Sequence, residues 1–154
     1  MVELPDGTVV PYLKDSRSGR QSVSLFCVKD DQVLLQQEYS YPPNRTMYQL
    51  PGGTVEEGEE LEVAAQRELK EESGCRAGSL EEVGAFYTNN RRSDATMHVY
   101  LATDLEVVGK AGGDPEESID SEWVPLDKLR TMIAGGEIVN FSILTAWAFY
   151  QART

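Results

Sequence analysis

The chain is predicted to fold as α+β, a mixed and curved sheet carrying helices, and three observations predict it. Short segments rich in β-branched and aromatic residues recur through residues 8–108. One strongly periodic helical stretch, from about Glu59 to Ser73, interrupts them. Two further helical stretches follow Pro125. A length of 154 residues suits a single domain spanning 1–154, large enough to bury a core.

In order along the chain, "TVVPYLK" (8–14) and "SVSLFCVK" (22–29) read as strands from their β-branched and aromatic content. "KDDQ" then turns the chain into "QVLLQQEY" (32–39), which makes a hairpin. "TMYQL" (46–50) is a short strand, "LEEVGAFYT" (80–88) another, and "TMHVYLATDLEVV" (96–108) a long one of alternating character. In the helical stretch, Leu61, Ala64, Ala65 and Leu69 recur at spacings of three and four, which puts them on one stripe, and Gly74 supplies a C-terminal cap. "LDKLRTMIAGG" after Pro125 and "NFSILTAWAFYQA" from Asn140 are the closing helices. Asn140 caps the last, and Phe141, Leu144 and Trp147 or Ala148 form the face expected to pack. No repeat, low-complexity tract or dividing linker interrupts this order.

The charge balance narrows the function. With 14 Lys plus Arg against 26 Asp plus Glu, a formal net charge of -12 argues against nucleic-acid binding by phosphate neutralisation. An anionic ligand would need a mediator, and metal cations held by carboxylates are the obvious one. Cys27 and Cys75 have no CxxC spacing and read as reduced, structural thiols. "MVELPDGTVV" has neither a basic n-region nor an apolar h-region, and no 18 apolar residues run together. A soluble, cytoplasmic protein without membrane contact is the expectation.

The stretch "GTVEEGEELEVAAQRELKEESGC" (53–75) crowds eight glutamates between Glu56 and Glu72. On a helix Glu68 and Glu72 are four apart and Glu71 is three from Glu68, so all three share a face opposite Leu61 and Leu69. Like charges so placed cost an isolated helix roughly a few tenths of a kcal/mol per pair. Bound divalent cations reverse that sign. An all-oxygen donor set suits Mg²⁺ or Mn²⁺ rather than zinc, for which the chain has one His and two scattered Cys.

The same stretch resembles the Nudix box, G-x(5)-E-x(7)-R-E-U-x-E-E-x-G-U with U aliphatic, through Gly53, Glu59, Arg67, Glu68, Leu69, Glu71, Glu72 and Gly74. Only Cys75 departs. Average residue usage gives such a coincidence on the order of once in a billion starts. The resemblance implies a Nudix fold, a mixed sheet sandwiched between helices in an α/β/α arrangement, with the box forming a loop, a helix and a loop. It also implies a Mg²⁺-dependent hydrolase, with Mn²⁺ as an alternative, that cleaves the pyrophosphate of a nucleoside diphosphate linked to another moiety. Carried over by position, Glu68 and Glu72 are the principal metal ligands and Glu71 a further ligand or holder of metal-bound water. Arg67 is an orienting partner paired with Glu59, and Gly52 or Gly53 turns a backbone carbonyl towards metal.

The flanks point to a subgroup. "VLLQQEYSYPPNRTMYQLPGG" is similar to the segment before the box in ADP-ribose and ADP-sugar pyrophosphatases, typically RQYRYP and then ELPAG. The chain departs at Gln37, Glu38 and Ser40, where those enzymes often have Arg, Gln and Arg, and at Gln49 and Gly52, where they have Glu and Ala. Asn90 stands about where they have Pro, and Arg91 and Arg92 form a basic pair able to clamp a terminal or sugar phosphate. Tyr39 and Tyr41, with Tyr48 nearby, are candidates for stacking on a nucleobase, and Arg45 is a further substrate-binding candidate beside them.

"GGDPEESIDSEWVPLDKL" resembles the family's acidic loop before a strand. Counting back from Ile119 puts Glu117 on a position that often ligates metal and Pro115 where a catalytic base is often found, so the base falls to Glu116 or Glu117. Asp114 and, as in some family members, Glu68 are the alternatives. His98, mid-strand, reads as a packing or surface residue rather than a ligand. The subgroup resemblance and the apolar last helix predict a homodimer. Beside the nucleoside diphosphate-X hydrolase stand a nucleoside triphosphate house-cleaning enzyme of the same fold and a non-catalytic nucleotide sensor. Retention of Glu68, Glu71 and Glu72 disfavours the sensor.

Overall fold

The computed structural model describes residues 1–13, 17, 19–109 and 120–153. Strands β1 (Val2–Glu3) and β2 (Val9–Val10) pair with each other as a small separate ribbon. The main sheet is built from β3 (Gln21–Lys29), β4 (Gln32–Ser40), β5 (Arg45–Gln49), β6 (Gly52–Thr54), β7 (Cys75–Tyr87), β8 (Thr96–Val107) and β9 (Asp120–Pro125). Helix α1 (Leu61–Ser73) lies between β6 and β7 in the chain, and α2 (Leu126–Ala134) and α3 (Phe141–Gln151) close it.

Strand β3 organises everything. It pairs in parallel with β8 from Gln21↔Thr96 to Cys27↔Ala102, while its other neighbours are antiparallel, which makes the sheet mixed. Its turn into β4 places Asp30 and Asp31 at φ 50° and 57°, the positive values that a two-residue hairpin matching strand twist demands. β3 and β4 pair only at Val28↔Val33 and Lys29↔Gln32, and then diverge. In the wedge so opened, β6 takes the free edge of β3 at Ser22↔Thr54, Val23↔Gly53 and Ser24↔Gly52, and the Leu25 amide donates to the Pro51 carbonyl at 2.9 Å. On the other arm β9 pairs with β4 from Gln32↔Pro125 to Gln37↔Asp120. The splitting of two neighbouring strands therefore inserts the glycine pair into the middle of the sheet.

Alternation along β3 sends Val23, Leu25 and Cys27 to one face and Phe26 to the other, as the two-residue period of a strand buried on both sides requires. On the first face they meet Ala64, Ala65 and Leu69 of α1 with Tyr100 and Ala102 of β8. On the second, Phe26, Leu35 and Val99 meet Leu129 and Met132 of α2 and Ile143 and Ala146 of α3. The result is an α/β/α sandwich. Burial of a side chain such as Leu69, wholly enclosed, stabilises α1 on the sheet by about 1.5–3 kcal/mol.

Several expected boundaries shift. The strand expected over 8–14 is only Val9–Val10, with Lys14 outside the described residues. The strand expected to start at Leu80 begins at Cys75, directly after Gly74 caps α1 at φ 70°. β1 and β6 carry no expectation from the sequence, whereas β9 is the strand expected to follow the acidic loop. In α3 the packing face is only partly the expected one: Trp147 packs against the core, but Phe141 and Leu144 are exposed, whereas Ser142, Ile143 and Ala146 are buried. Asn140 Oδ1 accepts from both the Ser142 amide and the Ser142 hydroxyl, so Ser142 can be buried without an unmet hydrogen bond.

Candidate active site

The site forms where β6 enters the sheet beside α1. Gly52 has φ 155°, and a Cβ there would lie 2.2 Å from the Val23 carbonyl oxygen. Only glycine lets the backbone approach this closely. Its amide donates to Glu72 Oε2 at 2.9 Å, across 20 residues of chain, which ties the last turn of α1 to the glycine pair. A Cβ on Gly53 would lie 2.4 Å from Glu68 Oε1, so the Glu68 carboxylate occupies the space that a side chain would take.

Arg67 is the hub. Its guanidinium forms a fork with Glu59, Nε to Oε1 and Nη2 to Oε2, both at 2.9 Å. It also donates to Glu68 Oε1 at 2.7 Å, to Glu71 Oε2 at 3.4 Å and to the Thr54 carbonyl at 3.2 Å. Planar, multidentate donation of this kind is specific to arginine and fixes three carboxylates relative to one another. Glu59 in turn accepts from the Glu56 amide at 3.0 Å. The hydrogen bond from Arg67, with that from the loop backbone, holds the Glu59 carboxyl well below its ordinary range, at about 2. Glu68 is mostly covered, at 12% side-chain exposure, and Glu71 is open to solvent at 45%.

This donor set fits a hard divalent cation. It is all carboxylate oxygen, with backbone brought near by two glycines, and it carries four carboxylates against one guanidinium. Among the described residues no group of three or more His, Cys, Asp or Glu side chains is arranged to hold a metal ion by itself. Mg²⁺ does not require one, since it keeps waters and takes one or two carboxylates together with substrate phosphates.

The remaining candidates fall in three places. Tyr39 and Tyr41 make an edge-to-face pair, centroids 5.0 Å apart, and line a cavity of about 260 Å³ with Gln49 at the β4–β5 hairpin. Arg45 pairs with Ser40 next to the turn of that hairpin, and the Tyr39 hydroxyl donates to Asn44 Oδ1. Tyr48 faces elsewhere, towards Gln37, whose amide donates to the Tyr48 hydroxyl at 3.4 Å and to Glu122 at 3.3 Å. Arg91 and Arg92 lie in the β7–β8 loop against the β1–β2 ribbon. Asp114, Pro115, Glu116, Glu117 and Ile119 lie outside the described residues. His98 Nδ1 is 2.7 Å from Glu82 Oε1, a surface pairing on the sheet. Residues that sequence reasoning missed are Thr54, whose carbonyl holds Arg67, and Glu56, whose amide holds Glu59. Backbone contacts of this sort leave no side-chain signal.

A split mixed sheet, a glycine pair and a glutamate helix braced by one arginine define a hydrolase site of the Nudix class. The NUDIX domain model matches residues 19–145, and the chain belongs to that family. It is 32% identical over 154 residues to the ADP-ribose pyrophosphatase of Bacillus subtilis (strain 168), covering 99% of this chain and 82% of that protein. It is 27% identical over 153 residues to the methanol dehydrogenase activator of Bacillus methanolicus, covering 99% of this chain and 82% of that one. A solved structure described as ADP compounds hydrolase shares the fold with a TM-score of 0.86 at 23% identity, over 97% of this chain and 80% of that chain. The chain is therefore a Nudix pyrophosphohydrolase related to ADP-ribose pyrophosphatases, a group within a family of divalent-metal enzymes.

Proposed function

We propose that the protein hydrolyses the pyrophosphate of a nucleoside diphosphate linked to a sugar or similar moiety, of the ADP-ribose type, with Mg²⁺ as the working ion and Mn²⁺ able to replace it. One observation carries the reading: Arg67 and the Gly52 amide hold Glu59, Glu68 and Glu72 in place while Glu71 stays open to solvent. The chemistry a bound Mg²⁺ supplies here is charge neutralisation of the phosphate oxygens and acidification of the attacking water. Glu68, Glu72 and Glu71 would hold it, with the Gly52 carbonyl as a further oxygen.

The chain's own residues do the rest. Arg67 keeps Glu68 from swinging away, and the absent side chain of Gly53 leaves the carboxylate its place. A water oxygen attacks one phosphorus, the anhydride P–O bond breaks, and the products are a nucleoside monophosphate and a phosphorylated second product. The proton lost by the water goes to Glu116 or Glu117. Tyr39 and Tyr41 offer an aromatic edge for the base, with Arg45 beside them. Residues 1–154 act as one domain. Two buried free thiols, Cys27 and Cys75, suit a reducing, cytoplasmic setting. No helix among the described residues is long and apolar enough to cross a membrane.

A substrate panel tests this. With Mg²⁺ present, ADP-ribose, ADP-glucose and GDP-mannose should give monophosphate plus sugar phosphate. Release of pyrophosphate from nucleoside triphosphates, at a kcat/KM above that for every sugar diphosphate, would replace the proposal with the house-cleaning activity. Tight binding without turnover would make the protein a sensor.

A further inference from the structure

We propose that Arg91 and Arg92, with the β1–β2 ribbon, form a second anion site that takes a phosphomonoester carried by the substrate in addition to its diphosphate. The inference rests on the hydrolase reading and extends it to substrate class. The loop Thr88–Ala95 closes on itself through the Thr88 amide and Ala95 carbonyl at 3.1 Å, and the Arg92 amide donates to Asn89 at 2.9 Å. The Tyr12 hydroxyl donates to the Arg91 carbonyl, and the Gly19 amide donates to Asp94 Oδ1 at 2.6 Å. The loop is thereby tied to the segment that follows the ribbon.

Between them are two adjoining cavities. One, of about 510 Å³, is lined by Pro11, Tyr12, Leu13, Arg91 and Arg92. The other, of about 340 Å³, shares Tyr12 and both arginines and adds Val2 and Leu4. Among the described residues neither guanidinium has a hydrogen-bond or ion-pair partner, in a chain with 26 acidic residues available to supply one. Asp94, which also lines the second cavity, is engaged by the Gly19 amide. Two adjacent like charges left unpaired over a shared concavity are a site for an anion of more than one charge, and two guanidinium forks match the three oxygens of a phosphomonoester.

Position separates this site from the metal carboxylates. Gly52 is level with Ser24, the loop's first anchor Thr96 is level with Gln21, and β6 and β8 flank β3 on opposite sides. Three residues at about 3.3 Å and two strand spacings at about 4.8 Å put the base of the loop roughly 14 Å from Gly52. One diphosphate cannot be gripped at both places. The Val55 amide donates to the Gln21 carbonyl at 3.0 Å and the Thr96 amide to the Arg20 carbonyl at 3.0 Å, so β6 and β8 meet the same end of β3, with Gly52 level with Ser24 just inside it. An extended substrate lying across that end would meet carboxylate-held cations under its diphosphate and bare arginines under a remote phosphate.

The test compares three ligands: ADP-ribose, 2′-phospho-ADP-ribose with the added phosphate on the nucleoside side, and ADP-ribose 1″-phosphate with it on the far sugar. Dissociation constants are read by calorimetry with Ca²⁺ in place of Mg²⁺, so that binding is measured whether or not turnover occurs. One phosphorylated ligand should bind on the order of tenfold more tightly than ADP-ribose, the scale of two charge-assisted hydrogen bonds, and which one it is assigns the orientation. In the Arg91→Ala/Arg92→Ala double variant the ratio should fall to near one. Equal affinities for all three ligands in the unaltered protein, or a preference that survives the double variant, overturns the proposal. Failure to hydrolyse any of them in Mg²⁺ refutes the hydrolase reading alone and leaves the affinity ratio to decide this one.

Discussion

Replacing Gly53 by alanine separates the placement of Glu68 from the stability of the fold. The new Cβ would stand 2.4 Å from Glu68 Oε1 and 2.5 Å from its Cδ, against the 3.4 Å of an ordinary contact, so the carboxylate must retreat by about 1 Å. It can do so, because it is the far end of a flexible side chain. A displacement of about 1 Å in a positioned group costs on the order of 100-fold in rate, or about 2.7 kcal/mol of transition-state stabilisation. Gly53→Ala should therefore retain the melting temperature within a few degrees and lose about two decades of kcat/KM on ADP-ribose.

Gly52→Ala provides the contrast. Its Cβ would meet backbone, the Val23 carbonyl oxygen at 2.2 Å, at a φ of 155° that side chains avoid. No rotamer relieves that contact. It should lose more than about 2 kcal/mol of stability from backbone strain alone. Calorimetric melting and steady-state hydrolysis on both variants decide the matter. Full activity in Gly53→Ala, or equal destabilisation of the two, would refute the placement of Glu68 against β6 as the basis of the site.

Three further outcomes are expected. Glu72→Gln keeps an oxygen for the Gly52 amide, so it should fold normally while losing about 100-fold or more of its turnover, the scale of removing a charge-stabilising group; full activity would remove Glu72 from the ligand set. Because Arg67 holds the folded Glu59 carboxyl at about 2, below its ordinary 4.5, the pair contributes stability above pH 4.5 that is lost as pH falls from there through 2. The difference in urea midpoint between the unaltered protein and Glu59→Gln should shrink over that window and be constant above it. Light scattering should give a dimer, with the exposed Phe141 and Leu144 of α3 as the apolar surface available; a mass of 17.1 kDa would show a monomer.

The elements legible in the sequence are those whose pattern had a single physical reading. The β3–β4 hairpin was one, since only residues tolerant of positive φ, here Asp30 and Asp31, separate two apolar runs. Helix α1 was another, with one apolar stripe and a glycine cap. Strand β6 was not, because Gly52, Gly53 and Thr54 have little strand propensity. They are extended because the wedge between β3 and β4 offers them partners. In α3 apolar residues surround the axis, so the pattern put Trp147 on the packing face but did not single out Ile143 and Ala146 over Phe141 and Leu144. The glutamate face of α1 followed from spacing alone. What spacing withheld was the backbone's part in the site: the Gly52 amide on Glu72, the Thr54 carbonyl on Arg67 and the Glu56 amide on Glu59.

Those contacts, together with Arg67 and solvent exposure, explain how the chain tolerates eight glutamates in so short a span. Glu56, Glu57, Glu60, Glu62 and Glu71 are exposed, where water screens their repulsion. Glu59, Glu68 and Glu72 are half-buried, where an unmatched carboxylate is costly, and each accepts from a donor placed for it: Arg67 for the first two, the Gly52 amide for the third. Arg67 cannot neutralise three carboxylates, so the covered part of the cluster remains anionic while its geometry is fixed. A rigid seat with unspent negative charge is what a hard cation requires, and a flexible acidic surface of the same composition would not provide it. The arginine and the two glycines therefore matter to this site as much as the glutamates do.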